Sequence, residues 1–438
     1  MMDDILVIGG GPAGLFSAWL AHRRGAKVRL LATGIGTTHV MPGWIGVLDT
    51  DGDLSSALVD WIDLHQRRCD SGIAAPHPYG LAGLDALRAG IAALQELCEP
   101  AGLRLVGGLE RNLRLPTALG AIIPVALAPE SFAAGDLNRP GPMLIAGPAG
   151  WRDFYPALCA ANLRRQGVEA EACTFDLPEI AAVKFDNLST GLARLFDRDS
   201  IRERVAAQIK ARLNGATAQE SCRIGMPAVL GLDNYPGAWR HLQDLIGVPV
   251  FEIPTLPPSV PGMRLYNIFK NALGHAGVQL LLNMPVGRGM LEPSGSEIEG
   301  TRSGVVTGVA VPVAGSAVRE RIYRAQDFIL ATGGLYGGGL TSNHRGELRE
   351  AVFGLPLTGT RPMPEWFGDR FLPARHAIHD AGILANQQMQ PTTLDGQVVY
   401  RNLRVAGRLL GGYNGPSEGS TEGVWIATAY RAVSALLD

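Results

Sequence analysis

The sequence predicts an α/β fold built on a parallel sheet, and three observations support it. Between residues 5 and 33 a strand, a glycine-rich turn, a helix and a second strand follow one another, with the pattern GxGxxG in the turn. Two more short apolar strands, near 330 and 405, each run into a glycine turn. From about 60 to 250 helical stretches alternate with short strands, which is the order of an α/β domain.

The elements follow in chain order. Ile5-Leu6-Val7-Ile8 is a short apolar β-type run, and Gly9-Gly10-Gly11-Pro12-Ala13-Gly14 comes directly after it. Leu15 to Arg24 has helical spacing, Gly25 stops it, and Val28 to Leu31 is the next strand. This is a Rossmann-like βαβ unit. Gly9 allows the tight turn, Gly11 lets a diphosphate approach the backbone, and Gly14 lets the helix pack close to the strand. The helix N-terminus adds unpaired N–H groups and a partial positive charge. A glycine turn without a ligand is the alternative, and it leaves the in-place strand, loop, helix and strand unexplained. The second strand ends Leu30-Leu31-Ala32-Thr33, with no Asp or Glu to hold adenosine ribose hydroxyls. That absence argues against an ordinary FAD clamp.

A loop with His39, Pro42, Gly43 and Gly46 follows. Helices are expected over Leu81 to Leu97, Trp151 to Gln166 and Ile201 to Leu213. Met143 to Gly150 resembles a second phosphate loop but carries only GxxG, so a packing turn is the preferred reading. Ile253 to Gly262 is proline-dense and therefore rigid, either a domain crossover or a wall beside a cofactor. A helix from Met263 to His275 and a strand from Val278 to Leu282 come next, with Val286 in the loop beyond. Phe328-Ile329-Leu330-Ala331-Thr332-Gly333-Gly334 is a strand ending in ATGG, and Asn402 to Gly407 is another, followed by Arg408 and a helix from Gly423 to Leu437. The chain thus touches one nucleotide-binding sheet at its start, past its middle and at its end. The expected domains are 1–58 with 262–340 and 396–438 for flavin or dinucleotide, and an inserted α/β cap of 59–261 with 341–395 that covers the substrate.

Composition bounds the function. Thirty-nine Lys and Arg stand against 41 Asp and Glu, a net charge of −2, and no basic block occurs, so nucleic acid is not the expected partner. The 56 glycines exceed the usual level of roughly 7% and cluster at strand ends, as expected for backbone packed against a ligand. Five scattered cysteines include no CxxC pair, which leaves no frame for an iron–sulfur cluster or a redox dithiol, and no metal site is assigned. No apolar run is long enough to cross a bilayer and no export signal opens the chain, so the cytoplasm is the expected location.

Residues outside the glycine fingerprint carry a more specific likeness. They are Pro254-Thr255-Leu256-Pro257-Pro258-Ser259-Val260 with Gly262, Arg264, Leu265 and Asn267, and Leu330 to Gly333 through Gly338-Gly339-Leu340 to Arg349-Glu350 and Gly354-Leu355. Met226-Pro227-Ala228 with Gly231-Leu232, and Gly407 with Leu410, Gly411 and Gly412, belong to the same set. On these the chain resembles, nearly end to end, the B subunit of anaerobic glycerol-3-phosphate dehydrogenase. The resemblance implies a flavoprotein subunit of a complex oxidising sn-glycerol 3-phosphate to dihydroxyacetone phosphate. It implies FMN as the flavin, with FAD as the close alternative. Its partners would be a second, catalytic flavoprotein subunit and an iron–sulfur, membrane-associated subunit passing electrons to quinone, which would hold the chain at the inner face of the plasma membrane. One departure is Glu418-Gly419-Ser420-Thr421-Glu422-Gly423, with two carboxylates where the family has small residues.

Oxidising a secondary alcohol with flavin requires a hydride acceptor, a base and, for this substrate, a cationic phosphate pocket. His39 is the first candidate base and His344 the second, while His376 and His379 read as surface residues. Arg264 and Arg349 are the candidate phosphate ligands, with loop-tying as the alternative role for each. The expected cofactor contacts are Gly9, Gly10, Gly11, Pro12, Ala13, Gly14, Ala32, Thr33, His39, Gly43, Val286, Ala331, Thr332, Gly333, Gly407, Arg408 and Gly423. Arg408 stands where many flavoproteins place an Asp; it cannot accept a hydrogen bond and would instead neutralise a phosphate. Two rivals remain: a stand-alone flavin dehydrogenase or oxidase of an amine or hydroxy acid, and a non-catalytic electron-relay subunit.

Overall fold

The computed structural model describes residues 2–71, 75–182, 189–216, 222–292, 297–298, 301–313, 315, 319–370 and 375–438. It contains two compact units, Met1–Thr37 with Ser55–Leu94 and Phe269–Asp438, and Thr38–Leu54 with Gln95–Ile268. These bounds differ from those drawn on the sequence. Residues 59–94 and 341–395 stand with the first unit, and 38–54 with 262–268 stand with the second. Backbone bonds account for part of this: Val405 N donates to Met389 O at 2.8 Å and Gly411 N to Ile383 O at 3.0 Å, stitching the 383–389 stretch to the last strand.

The first unit holds the nucleotide-type sheet. Its strands are β1 (Asp3–Ile8), β2 (Val28–Leu31), β3 (Gln279–Leu281), β4 (Ala325–Leu330) and β5 (Leu403–Val405), in the order β3-β2-β1-β4-β5 and all parallel. A parallel strand covered on both faces reads as a continuous apolar run, and Ile5 to Ile8 and Phe328 to Leu330 are all buried. Helix α1 (Pro12–Arg23) starts on a proline, whose missing N–H is one the first turn leaves unpaired anyway. Its Phe16 meets Phe269 at 6.3 Å and Trp425 of helix α2 (Thr421–Leu437) at 5.7 Å, both edge to face. A separate antiparallel sheet joins Arg288–Leu291, Val306–Pro312 and Glu320–Tyr323.

The second unit has its own parallel sheet, in the order Val250–Ile253, Arg223–Pro227, Met143–Pro148, Ala170–Phe175. Helices Pro156–Arg165, Asp199–Ala216 and Gly237–Ile246 belong to it, and its core includes Ile145, Phe154, Phe175, Phe196, Trp239 and Phe251. The Met143–Gly150 stretch is a packing turn. A Cβ on Gly147 would lie 2.7 Å from Phe154 Cδ1, and the helix begins only at Pro156. The proline-dense segment serves as a wall within this unit: Ser259 N donates to His39 O at 2.8 Å, and Gly262 is pressed against the Thr38 carbonyl.

Candidate functional site

Three glycine turns leave the same end of the first unit's sheet, after β1, β4 and β5, and the packing brings them together. Gly9 has φ +125°, a conformation that side chains other than glycine rarely take, and its α-carbon abuts the Ala331 carbonyl. Ala331 N in turn donates to Ile8 O at 2.8 Å. Gly14 abuts the Gly9 carbonyl, so α1 lies directly on the turn. A Cβ on Gly10 would be 2.8 Å from that of Ala32, and one on Gly407 would be 2.8 Å from that of Ala13. Gly11 differs from all of these. Nothing lies within 4 Å of the position its Cβ would take.

That contrast is the test of whether this end of the sheet suits a phosphate-bearing cofactor, and it does. The glycines that need close packing have it, and the one assigned to ligand approach faces open space. The N-cap of α1, Gly11, makes no side-chain capping bond, so the first-turn N–H groups remain for an anion. Thr332 Oγ1, on the turn after β4, is buried without a hydrogen-bond partner. Thr33 is exposed just beyond β2, and Val286 is half-buried in a loop tied to Ala32 O by Met284 N at 2.9 Å. Gly423 lies in the first turn of α2, and Gly407 N donates to Thr428 Oγ1 of that helix at 3.0 Å.

The remaining predicted residues divide between the units. His39, Gly43 and Arg264 belong to the second. His39 Nε2 is buried without a partner, its ring stands edge-on to Tyr266 at 4.7 Å, and burial pushes its pKa below the ordinary 6.5. Gly43 is pressed against Pro261, a packing reason for glycine there.

Arg264 is corrected outright as a phosphate ligand. Its guanidinium is 3% exposed and pairs with the fully buried Glu252 through Nη1 at 2.7 Å and Nη2 at 3.0 Å, while Nε donates to Gly231 O at 2.9 Å. Glu252 also accepts from Ser131 Oγ and Leu230 N, and the guanidinium stacks 3.9 Å from the Tyr235 ring centroid. A guanidinium occupied in this way holds loops together.

In the first unit His344 and Arg349 are exposed around the Leu340–Ser342/Leu348–Glu350 hairpin, with Arg349 Nε donating to Thr341 Oγ1 at 3.3 Å. His379 is not a surface residue. It is half-buried, and Tyr336 Oη lies 3.1 Å from its Nε2. Burial pushes its pKa below the ordinary 6.5, Arg408 pushes the same way, and Asn414 and Asp380 pull back. Half-buried Arg408 donates to Thr421 Oγ1 at 3.4 Å, and among the described residues no carboxylate pairs with it. Glu418, the departure noted in the sequence, is buried and structural: it accepts from Asn414 N at 2.8 Å, Ser420 Oγ at 3.0 Å and His77 Nε2 at 3.3 Å. Tyr336 could have been suspected from its place just past ATGG, whereas His379 carries no local sequence signal.

Comparison with known proteins agrees with this geometry. The FAD binding domain family matches residues 4–424. A relative from Halobacterium salinarum, the probable B subunit of anaerobic glycerol-3-phosphate dehydrogenase, is 32% identical over 99% of this chain and 97% of its own. The chain belongs to the family of anaerobic glycerol-3-phosphate dehydrogenase B subunits. The family member from Pectobacterium atrosepticum is 27% identical over 100% of this chain and 99% of its own. Among solved structures, 3-ketosteroid delta1-dehydrogenase from Sterolibacterium denitrificans is similar at a TM-score of 0.44 and 12% identity, covering 100% of this chain and 99% of that one. Membership makes the chain a flavoprotein of an oxidoreductase family whose members are subunits of larger assemblies. FMN, expected from the resemblance, has no support in a match described as FAD binding. Among the described residues no helix is long and apolar enough to cross a membrane.

Proposed function

We propose that this protein is the flavoprotein B subunit of a quinone-linked complex that oxidises sn-glycerol 3-phosphate to dihydroxyacetone phosphate, with FAD as its flavin. The observation that carries the reading is full-length similarity to named B subunits, joined to the meeting of three glycine turns beside an open Gly11. When bound, flavin supplies the carrier for the hydride or electrons that this oxidation releases. The chain's own residues do the rest. First-turn N–H groups of α1 hold the diphosphate, and Gly11 lets it approach. The unpaired Thr332 hydroxyl binds the cofactor's polar groups. Arg408 balances negative charge. With no acid after β2, Thr33 and backbone groups hold the ribose, so the adenosine end is bound more weakly than in sites with an acid. Partner subunits carry the electrons onward and hold the complex at the membrane.

Two measurements test this. Flavin released from the denatured holoprotein should chromatograph as FAD; FMN would overturn the cofactor assignment, and folded protein that cannot be loaded with any flavin would overturn the whole reading. Dye reduction by glycerol 3-phosphate should be seen when the partner subunits are added, and its absence with them as well as without them would remove the substrate.

A further inference from the structure

We propose that the first unit carries a second anion site, a cavity of about 980 Å³ walled by Arg68, Arg361 and Arg375 that takes the phosphate group of an organic phosphate. The residues of its wall all belong to that unit, and neither Arg408 nor the turns at 9–14 and 333–339 are among them. The site is independent of the function proposed above.

Folding brings three distant stretches to this cavity. Helix Leu54–Asp70 supplies His65, Arg68 and Cys69, the strand Leu357–Thr358 runs on into Arg361, and Gly382–Ile383 leads to the turn at 391–396. Backbone contacts hold these walls in place. Leu357 and Ile383 pair antiparallel, Gly359 at φ +67° abuts the Asp380 carbonyl, and Gly412 N donates to that same oxygen at 3.2 Å. Thr393 N donates to Gln397 O at 2.9 Å and closes the turn beside Leu394. The opening is therefore formed before any ligand arrives.

Charge decides what fits. Three guanidiniums face the cavity, and one carboxylate, Asp380, answers them. Asp380 Oδ1 is already shared by Arg375 Nη2 and Asn414 Nδ2, each at 3.0 Å. Among the described residues no carboxylate pairs with Arg68 or Arg361. Three positive charges against one negative leave the wall at +2 in a chain whose net charge is −2, and such a focus of positive potential draws anions. Two unpaired planar forks suit the several oxygens of a phosphate, which guanidinium grips bidentately. The volume leaves room for an organic body beside the phosphate, and Ala75, Pro76, Leu384 and Ala385 give that body an uncharged wall. His65, also on the wall, is 6% exposed; its Nδ1 lies 3.1 Å from Trp61 O and so keeps the ring proton. Around the ring stand Trp61, His77, Glu418 and Arg68. Burial, His77 and Arg68 hold its pKa below the ordinary 6.5 against the pull of the Trp61 carbonyl and Glu418, and an anion bound beside it raises that value.

The test uses full-length, flavin-loaded protein at constant ionic strength, with inorganic phosphate as the probe. Calorimetry should find one saturable site with a Kd of about 1 mM. The double variant R68Q/R361Q should weaken binding by about tenfold or more, with Tm and flavin content unchanged. Cys69 is a partly exposed thiol on the wall, so phosphate should slow its alkylation, read by peptide mapping, in the parent and not in the variant. NMR of the His65 ring should show its pKa rising with phosphate in the parent alone. Vesicles of phosphatidylglycerol and phosphatidylcholine separate two sources of the phosphate. Vesicle binding that the double variant loses assigns the site to a lipid headgroup, and phosphate binding without it assigns the site to a soluble ester. No phosphate bound, equal binding by parent and variant, or Cys69 alkylated at an unchanged rate overturns the site. Protein that loads no flavin overturns the function proposed above instead, and Cys69 then still reports on the cavity directly.

Discussion

At the scale of single residues, two glycines of one motif should fail in different ways. Gly14→Ala forces a methyl group into the Gly9 carbonyl, an overpacking cost of about 1–3 kcal/mol that thermal unfolding would register. Gly11→Ala has open space and an ordinary φ of −79°, so Tm should hold while flavin retention falls. Equal Tm losses in the two variants would remove the ligand role assigned to Gly11. Arg264→Ala tests the opposite type of residue. It leaves Glu252 buried without its cation, which costs about 3–5 kcal/mol, so the variant should melt early or express poorly. A stable variant with only a raised KM would return Arg264 to the phosphate.

At the scale of elements, the α1–α2 contact around Phe16 is the joint that holds the glycine turn in place. Phe16 is fully buried against Phe269 and Trp425, so Phe16→Ala should cost about 3–5 kcal/mol. Chemical denaturation would read this as a lower midpoint with flavin lost at lower denaturant than in the parent. The sequence made these elements legible because each carries its own local signal. The β1–α1–β2 run has apolar strands, a GxGxxG turn and helical spacing, and it lies where expected, as do β4 and β5. The boundaries of the units were not legible. Residues 341–395 join the first unit through backbone bonds to the 403–412 stretch, and such pairings leave no periodicity in the sequence. The same reason hid the partial burial of His379. Its neighbours Tyr336, Arg408 and Asn414 are distant in the chain, and only folding brings them to one ring. The choice between phosphate binding and loop-tying for Arg264 stayed open for a related cause, because its partner Glu252 looks like any other strand residue until the burial of both is seen.

At the scale of the whole molecule, pH should act through neutral histidines. Burial holds His39, His65 and His379 below the ordinary 6.5, so protons bind the unfolded chain in preference. The stability these rings confer is fully present above pH 6.5 and is lost as pH falls through their lower folded values. Asp327 and Glu350, pushed up by burial, work in the opposite sense, beginning nearer the carboxylate range. Tm should therefore be flat from pH 7 to 8 and decline below 6.5, and His65→Gln should remove part of the decline. A Tm that does not change between pH 6.5 and 5.5 would contradict this account.

The order of strands across the first sheet also bears on biosynthesis. The middle strand, Asp3–Ile8, is made well before Ala325–Leu330, its neighbour on one side. Most of the second unit, from 95 to 268, is translated as one continuous stretch before either late strand exists and can fold as it emerges. The glycine loop must therefore wait, unpaired on one side, until Ala325–Leu330 and Leu403–Val405 have been made. Nascent chains stalled before residue 403 should bind no flavin, and chains stalled with 438 clear of the exit tunnel should bind it; uptake by the shorter chains would show that the loop is competent without its late partners.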